Sequence, residues 1–278
     1  MPEGDTIFRT AVSLRRWLVG RTVTAARAAP PAVAAGRLVG CTVEGVEAHG
    51  KHLLIRFSGD LVLHTHMRMT GSWHVYPAGD KWRKPPGQAR LVLEAGERVA
   101  VCFNAPVIEL LAARELAVHP SLRRLGPDVL VPAALDPAAV RSRARTRAAA
   151  SPTAGELLLD QQVVAGIGNI YRCESLFVCR VSPWTPSEAL DDESLDALVA
   201  TASRLMGANA QSKSPARSFD GPGQRTWVYR RGGRPCRRCG TTIRRDVLGR
   251  QARPVYWCPG CQPSPGAATA TRADPQPR

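Results

Sequence analysis

The stretch PCRRCGTTIRRDVLGRQARPVYWCPGCQ, residues 235–262, decides how the rest of the chain is understood. It holds Cys236-x2-Cys239, then eighteen residues, then Cys258-x2-Cys261. Each CxxC turn offers two thiolates to one side of a tetrahedral ion, so two such turns at this spacing predict a four-cysteine zinc ribbon. A redox pair needs only one CxxC. With all four ligands drawn from Cys236, Cys239, Cys258 and Cys261, no position stays open for water. One structural zinc ion is expected, and catalysis lies elsewhere. From Gly221 to Gln262 the chain carries ten arginines and one acid, Asp246, interleaved with Trp227, Tyr229, Tyr256 and Trp257. A surface of that charge density grips phosphates.

The whole chain shares this bias. Its 278 residues hold 38 lysines and arginines against 23 acids, a net charge of +15, and the sequence pI is near 10.4. A nucleic acid or another anionic surface is the expected partner. At 44% hydrophobic residues the chain can bury real cores, and its length predicts about two domains. The longest uncharged stretch, Pro254 to Thr271, contains four prolines, so no membrane-spanning helix is predicted. The opening Met1-Pro-Glu-Gly-Asp5 places acids where a secretory signal needs positive charge, which predicts a cytoplasmic, nucleoid-associated protein. Cys41, Cys102, Cys173 and Cys179 lie singly among apolar residues and are expected to be buried thiols.

Organisation follows from periodicity. A first helix is predicted from Asp5, which can cap it, with Ile7, Ala11, Leu14 and Leu18 on one face and Gly20 as the stop. After a Pro/Ala-rich stretch, Ala28 to Gly36, four β-like runs follow: His52 to Phe57, Leu61 to His66, Arg90 to Leu93 and Arg98 to Phe103. Their Gly-containing turns predict an antiparallel sandwich or barrel. From about residue 132 strand signals stop, and Pro132 to Pro137 with arginines 141, 143, 145 and 147 reads as a boundary segment. A helix then begins near Asp191, with Leu195, Leu198, Val199, Ala202 and Leu205 on its apolar face. Residues after Gln262 are expected to form a disordered tail.

The N-terminus carries chemistry of its own. Removal of Met1 leaves Pro2 with a secondary amine, which can attack C1′ of a damaged nucleoside or an abasic sugar. The resulting iminium acidifies the C2′ proton and permits β-elimination of the 3′ phosphate. Taken alone, Met-Pro-Glu is an ordinary helix-compatible start.

Met1-Pro-Glu-Gly-Asp5, Gly50-Lys51 entering a strand, Leu157-Leu-Leu-Asp-Gln161 with Ala165-Gly-Ile-Gly-Asn-Ile-Tyr171, and Arg253-Pro-Val-Tyr-Trp-Cys-Pro-Gly-Cys261 occur in that order. Together they resemble the formamidopyrimidine-DNA glycosylase and endonuclease VIII family, from residue 2 to about residue 262. The resemblance implies an α+β multidomain protein: an N-terminal antiparallel β-sandwich with flanking helices (1–131), a helix-two-turn-helix domain (132–221) and a C-terminal four-cysteine zinc-finger hairpin (222–262), followed by the tail (263–278). It also implies a DNA-binding cleft between the lobes.

The resemblance further assigns roles. Pro2 is the implied iminium-forming nucleophile and Glu3 the acid/base that helps open the sugar. Lys51 matches a phosphate-contacting lysine that assists β-elimination, although alone it would be a solvated strand-edge residue. Arg253 matches the zinc-finger arginine that supports δ-elimination, with Arg250 its nearest rival. Asn169 matches a phosphate-binding asparagine at a helix N-terminus, and Arg124, beside Arg123, a DNA-contacting arginine. His66-Met-Arg-Met-Thr-Gly71 aligns with the loop that fills the gap left by a flipped nucleotide, with Met69 as wedge and Arg68 beside it.

Two departures stand out. Endonuclease VIII usually has glutamine, leucine and tyrosine in that loop, and Thr6 replaces a glutamate common near the nucleophile. The Pro-Glu-Gly-Asp opening nevertheless leans toward endonuclease VIII. The sequence thus predicts a monomeric, bifunctional DNA glycosylase and abasic-site lyase acting on damaged DNA, with oxidised pyrimidines as substrates. The alternatives are a formamidopyrimidine or 8-oxoguanine type glycosylase, a non-catalytic zinc-ribbon DNA-binding protein on the same scaffold, and a zinc-ribbon RNA-binding factor.

Overall fold

A stripe of Ile7, Ala11, Leu14 and Leu18, each 1% exposed, turns α1 (Gly4–Leu18) into the lid of a sheet core. In this computed structural model, which describes residues 2–29, 33–212, 214, 216–219 and 226–264, the chain divides into two compact units, residues 1–130 and 131–278. The cap of α1 differs from expectation. Glu3 is the N-cap, its carbonyl accepting from the N–H groups of Thr6 and Ile7 at 2.9 and 3.1 Å, while Asp5 is buried inside the first turn.

Eight strands follow α1 in the first unit: β1 (Val23–Ala28), β2 (Val43–His49), β3 (His52–Phe57), β4 (Leu61–His66), β5 (Ser72–Pro77), β6 (Ala89–Ala95), β7 (Arg98–Phe103) and β8 (Val107–Ala112). They form two antiparallel four-stranded sheets, ordered β1-β6-β7-β5 and β2-β3-β4-β8. Val43, Val46, Leu53, Ile55 and Leu63 of one sheet and Leu91, Leu93, Ala100 and Cys102 of the other share one core with the α1 stripe. Full burial of each large aliphatic side chain contributes about 1.5–3 kcal/mol. The sandwich is therefore realised, and the barrel is not. Strands β1, β2, β5 and β8 were not anticipated. Alanines dilute the β1 signal, and Val107-Ile-Glu-Leu-Leu-Ala112 shows no alternation.

The second unit is helical up to its final hairpin. It contains α2 (Pro137–Arg147), the single turn α3 (Ala154–Leu157), α4 (Asn169–Val178), α5 (Asp192–Gln211), β9 (Arg244–Leu248) and β10 (Arg253–Trp257). The arginine run read as a boundary is α2 itself. Asp136 caps it, accepting from Ala138 N–H at 3.1 Å. Arg141 and Arg145 then pair with Asp192 at 3.0 and 2.7 Å, and Arg147 pairs with Asp160 at 2.8 Å. Asp191 caps α5 by accepting from Ser194 N–H at 2.7 Å, and the predicted apolar face is buried. The boundary expected at 221/222 lies among residues 220–225, and most of the expected tail among 265–278, both outside the described residues.

Cys102 and Cys173 are buried as expected, but Cys41 and Cys179 are half-exposed. Cys41 sits in the turn before β2, its thiol on the carbonyl of Arg37. Cys179 caps the C-terminus of α4 and bonds Thr201 across to α5. Among the described residues no helix is long and apolar enough to cross a membrane.

One buried carboxylate fastens the hairpin region to α4. Glu174 accepts from the backbone N–H groups of Trp227, Val228 and Tyr229 at 2.7, 3.1 and 2.8 Å. A glutamine supplies a single acceptor oxygen and would strand at least one buried donor, at about 1–3 kcal/mol. We expect Glu174→Gln to lower the stability of the second unit by about 2 kcal/mol in urea denaturation. Unchanged stability would mean that the carboxylate is dispensable.

The face of β3 and β4 turned away from the main core carries His52, His64 and His66. Burial, with His66 and His64 nearby, holds the His52 pKa down at about 2, and burial with Arg68 and Lys51 holds His66 at about 4. Both values lie below the ordinary 6.5, so between pH 6.5 and 4 the unfolded chain binds protons that the folded one refuses. Stability is therefore intact above pH 6.5 and falls as the pH drops, by up to about 1.4 kcal/mol per unit per histidine. Denaturation midpoints measured from pH 7.5 to 5 will show this slope. A flat or inverted profile would contradict the neutral assignment.

Candidate functional site

The start of α1 concentrates acid side chains where few proteins bury them. Glu3 is 0% exposed and Asp5 1%, and Pro2 beside them is half-buried. Carboxylates are almost never fully buried unless paired, and the unsatisfied N–H groups at a helix N-terminus favour them. Thr6, which stands where the family commonly has a glutamate, points its hydroxyl at Asp5 Oδ1 at 3.4 Å.

Lys51 sits, half-buried, in the tight turn between β2 and β3. Gly50 takes φ +57°, a left-handed conformation that glycine adopts without strain. Its N–H is donated to Asp128 Oδ2 at 2.8 Å, while Asp128 Oδ1 accepts from Leu130 N–H at 2.8 Å. Asp128 thus clamps the lysine turn to the segment that carries Arg124. Sequence reasoning missed this residue, although Gly126-Pro-Asp128 is a turn signal. Arg124 and Arg123 are both exposed, and among the described residues neither makes an ion pair.

The β4–β5 loop is a closed turn with an apolar tip. Met67 is buried, Gly71 N–H returns to the Met67 carbonyl at 2.8 Å, and Thr70 bonds the Asn104 carbonyl at 3.0 Å. A Cβ on Gly71 would lie 2.7 Å from that Met67 oxygen, so the turn demands glycine. Arg68 takes φ +43°, and Met69 is left 65% exposed. Met69 is thus a large apolar side chain at the tip of a hydrogen-bonded turn and no part of the core.

In the second unit, the turn before α4 is tied by Gln161. Its Oε1 accepts from Gly166 N–H at 3.0 Å, and its Nε2 donates to the carbonyls of Leu159 and Ile167. Asn169, nearly buried at the start of α4, donates from Nδ2 to the Pro254 carbonyl at 2.8 Å, and Arg172 donates to the same oxygen at 2.9 Å. Asn169 is thereby brought beside the strand of Arg253, while Arg250 lies exposed in the β9–β10 turn. Among the described residues one Nδ2 hydrogen of Asn169 is engaged, and its buried Oδ1 has no hydrogen-bond partner.

The four cysteines converge. Their sulfur atoms lie within 4.8 Å of one another, with Cys236–Cys261 at 3.9 Å and Cys239 at 3.4 Å from both Cys258 and Cys261. A tetrahedral ion with Zn–S bonds of about 2.3 Å needs sulfurs about 3.8 Å apart, whereas a disulfide needs about 2.05 Å. The set therefore fits a thiolate-bound metal ion. A Cβ on Gly260 would meet Thr241 Oγ1 at 2.6 Å and Cys239 Sγ at 3.3 Å, so the second turn has room for glycine alone.

The chain is similar to known proteins along almost its whole length. Residues 1–106 match the formamidopyrimidine-DNA glycosylase N-terminal domain and residues 125–218 the formamidopyrimidine-DNA glycosylase H2TH domain. The chain is 40% identical to a probable endonuclease 8 2 of Streptomyces coelicolor, over 98% of this chain and 99% of that protein. It is 38% identical to endonuclease 8 2 of Mycobacterium tuberculosis (94% and 100% covered) and 35% identical to endonuclease 8 of Escherichia coli (94% and 100%). Its fold matches that of the Lactococcus lactis formamidopyrimidine-DNA glycosylase bound non-covalently to DNA with an abasic site, with a TM-score of 0.80 over 95% of this chain and 100% of that one, at 22% identity. On the strength of both domain matches and of relatives aligned along almost its whole length, the chain belongs to the formamidopyrimidine-DNA glycosylase and endonuclease VIII family of DNA-repair glycosylases.

Proposed function

We propose that the protein is a bifunctional DNA glycosylase and abasic-site lyase of base-excision repair that takes oxidised pyrimidines from damaged DNA. The observation that carries this reading is the fully buried Glu3 next to Pro2. Phosphate binding alone requires neither. The Pro2 nitrogen, freed by removal of Met1, attacks C1′ and the bond to the damaged base breaks. Glu3 supports proton transfer to O4′ as the C1′–O4′ bond opens, leaving an iminium. Loss of a C2′ proton then expels the 3′ phosphate. Lys51 and Arg253 serve as phosphate contacts that assist β- and δ-elimination. Arg124 and Asn169 hold the backbone, and Met69, with Arg68 beside it, replaces the extruded nucleotide in the stack.

The four cysteines hold zinc in this reading, and the ion's contribution is structural, because four thiolates leave it no open position and it would add to the small apolar cluster of Val228, Ile243, Leu248, Val255 and Trp257. The working form is a monomer in the cytoplasm, on the cell's own DNA. A second reading, a glycosylase for formamidopyrimidine or 8-oxoguanine lesions, draws on the loop: Arg68-Met69-Thr70 lacks the glutamine, leucine and tyrosine usual in endonuclease VIII.

Duplexes each carrying one oxidised pyrimidine, one 8-oxoguanine or one abasic site test both readings. The wild-type protein should cleave the pyrimidine and abasic duplexes, and Glu3→Gln should lose base removal by about 10²-fold or more while keeping most cleavage at the preformed abasic site. Preference for 8-oxoguanine would install the second reading. Silence on the abasic duplex would leave a DNA-binding protein without chemistry.

A further inference from the structure

The first unit gathers a second set of metal-type donors that none of the roles above uses. His64 on β4 and Glu109 on β8 stand directly opposite in the antiparallel register. His119 reaches the same carboxylate from the segment that follows the sheet. His64 Nδ1 lies 2.7 Å and His119 Nε2 3.1 Å from one and the same oxygen, Glu109 Oε2, and the three ligand atoms fall within 4.8 Å of one another. We propose that His64, Glu109 and His119 form a second metal site, which takes a divalent transition ion of the zinc class through two imidazoles and one carboxylate.

Convergence on a single oxygen is the geometric argument. Metal–nitrogen and metal–oxygen bonds of about 2.0–2.2 Å place tetrahedral ligands about 3.3 Å apart. His119 and Glu109 already meet this spacing, and the His64–Glu109 separation has to open by about half an ångström. The Glu109 side chain is 42% exposed and free to make that adjustment, whereas His64 and His119 are 2% and 13% exposed and fixed. The exposed side of Glu109 leaves a fourth position for water.

A further histidine touches the ligand His64 from behind. His52 Nδ1 lies 2.8 Å from His64 Nε2, the hydrogen bond from the far ring nitrogen that metal-bound histidines almost always make. Proton positions balance. In the hydrogen-bonded arrangement the N–H groups of His64 Nδ1 and His119 Nε2 donate to Glu109, and His52 Nδ1–H donates to His64 Nε2. On metal binding the His64 proton moves to Nε2 and is donated to His52, whose own proton moves to its Nε2. The His119 proton moves to Nδ1, which gives up a 3.3 Å contact from Leu122 N–H. All three imidazoles remain neutral, and no proton is released.

The absence of thiolate separates this site from the cysteine cluster and suits Zn2+, Co2+ or Ni2+. An ion here would cross-link β4, β8 and the His119 segment. The first runs into the Arg68–Met69 turn, and the last carries Arg124, so the ion would brace two of the surfaces assigned to DNA.

Holo protein with its cysteine site already filled should be titrated with Co2+. One further equivalent should bind, with the visible d–d bands of four-coordinate Co2+ and no added thiolate-to-cobalt charge transfer. Glu109→Gln, an isosteric change at a half-exposed position, and His119→Gln should each weaken that equivalent at least tenfold, and His52→Phe should weaken it by roughly 10- to 100-fold. Independently of any variant, Zn2+ should shift the imidazole 15N resonances of His64 and His119 in the wild-type protein. Absence of the extra equivalent, its retention at full affinity in both ligand variants, or unmoved imidazole resonances would overturn the proposal.

Discussion

Burial of Ile7, Ala11, Leu14 and Leu18 against the core shared by the two sheets is the interaction on which the proposed chemistry depends. A chain terminus is ordinarily the least ordered part of a domain, and an amine that must meet one sugar carbon cannot wander. Here the second residue is one step from the N-cap of a helix whose whole inner face is core. The placement of Pro2 and Glu3 is therefore inherited from the sandwich. The same logic applies at Lys51, where a glycine turn is held by Asp128, and at Met69, where a turn that tolerates only glycine at position 71 presents an exposed thioether.

The second unit meets a different constraint. The hairpin of β9 and β10 has five residues per strand, and Arg244, Arg245, Asp246 and Val247 of β9 are all exposed, so it cannot bury enough to stand alone. It is stabilised at three points. Four sulfurs converge at one end, Glu174 collects three backbone N–H groups along the approach, and Asn169 and Arg172 share the Pro254 carbonyl beside Arg253. Charge that would repel the fold if unanchored is thus held on an anchored frame.

Much of this was legible in the sequence, for identifiable reasons. Two CxxC turns at ribbon spacing, a helical stripe at residues 7–18 and apolar runs at 52–66 are local signals, and each reappears in the structure. What escaped was set by tertiary pairing. The alanine-rich β1 is a strand because β6 lies beside it, and β8 because it completes the edge next to β4. The arginines at 141–147 read as a boundary segment because their partners, Asp160 and Asp192, lie 13 to 51 positions away. Asp128 and Glu174 bond backbone groups, so no residue pattern names their partners, and Gly126-Pro-Asp128 announces only a turn. Histidines 64 and 119 looked unremarkable until strand register brought both to Glu109.

The central claim is that the terminal proline is the nucleophile, and borohydride trapping tests it most directly. An abasic oligonucleotide incubated with the untagged protein and sodium borohydride should become covalently attached, because hydride reduces the Pro2–C1′ iminium to a stable amine. A protein with an uncleaved N-terminal tag, whose Pro2 nitrogen is a tertiary amide without a basic lone pair, should still bind DNA but neither trap nor cleave it. Full trapping by the blocked protein, with the adduct peptide mapping to Lys51, would contradict the account.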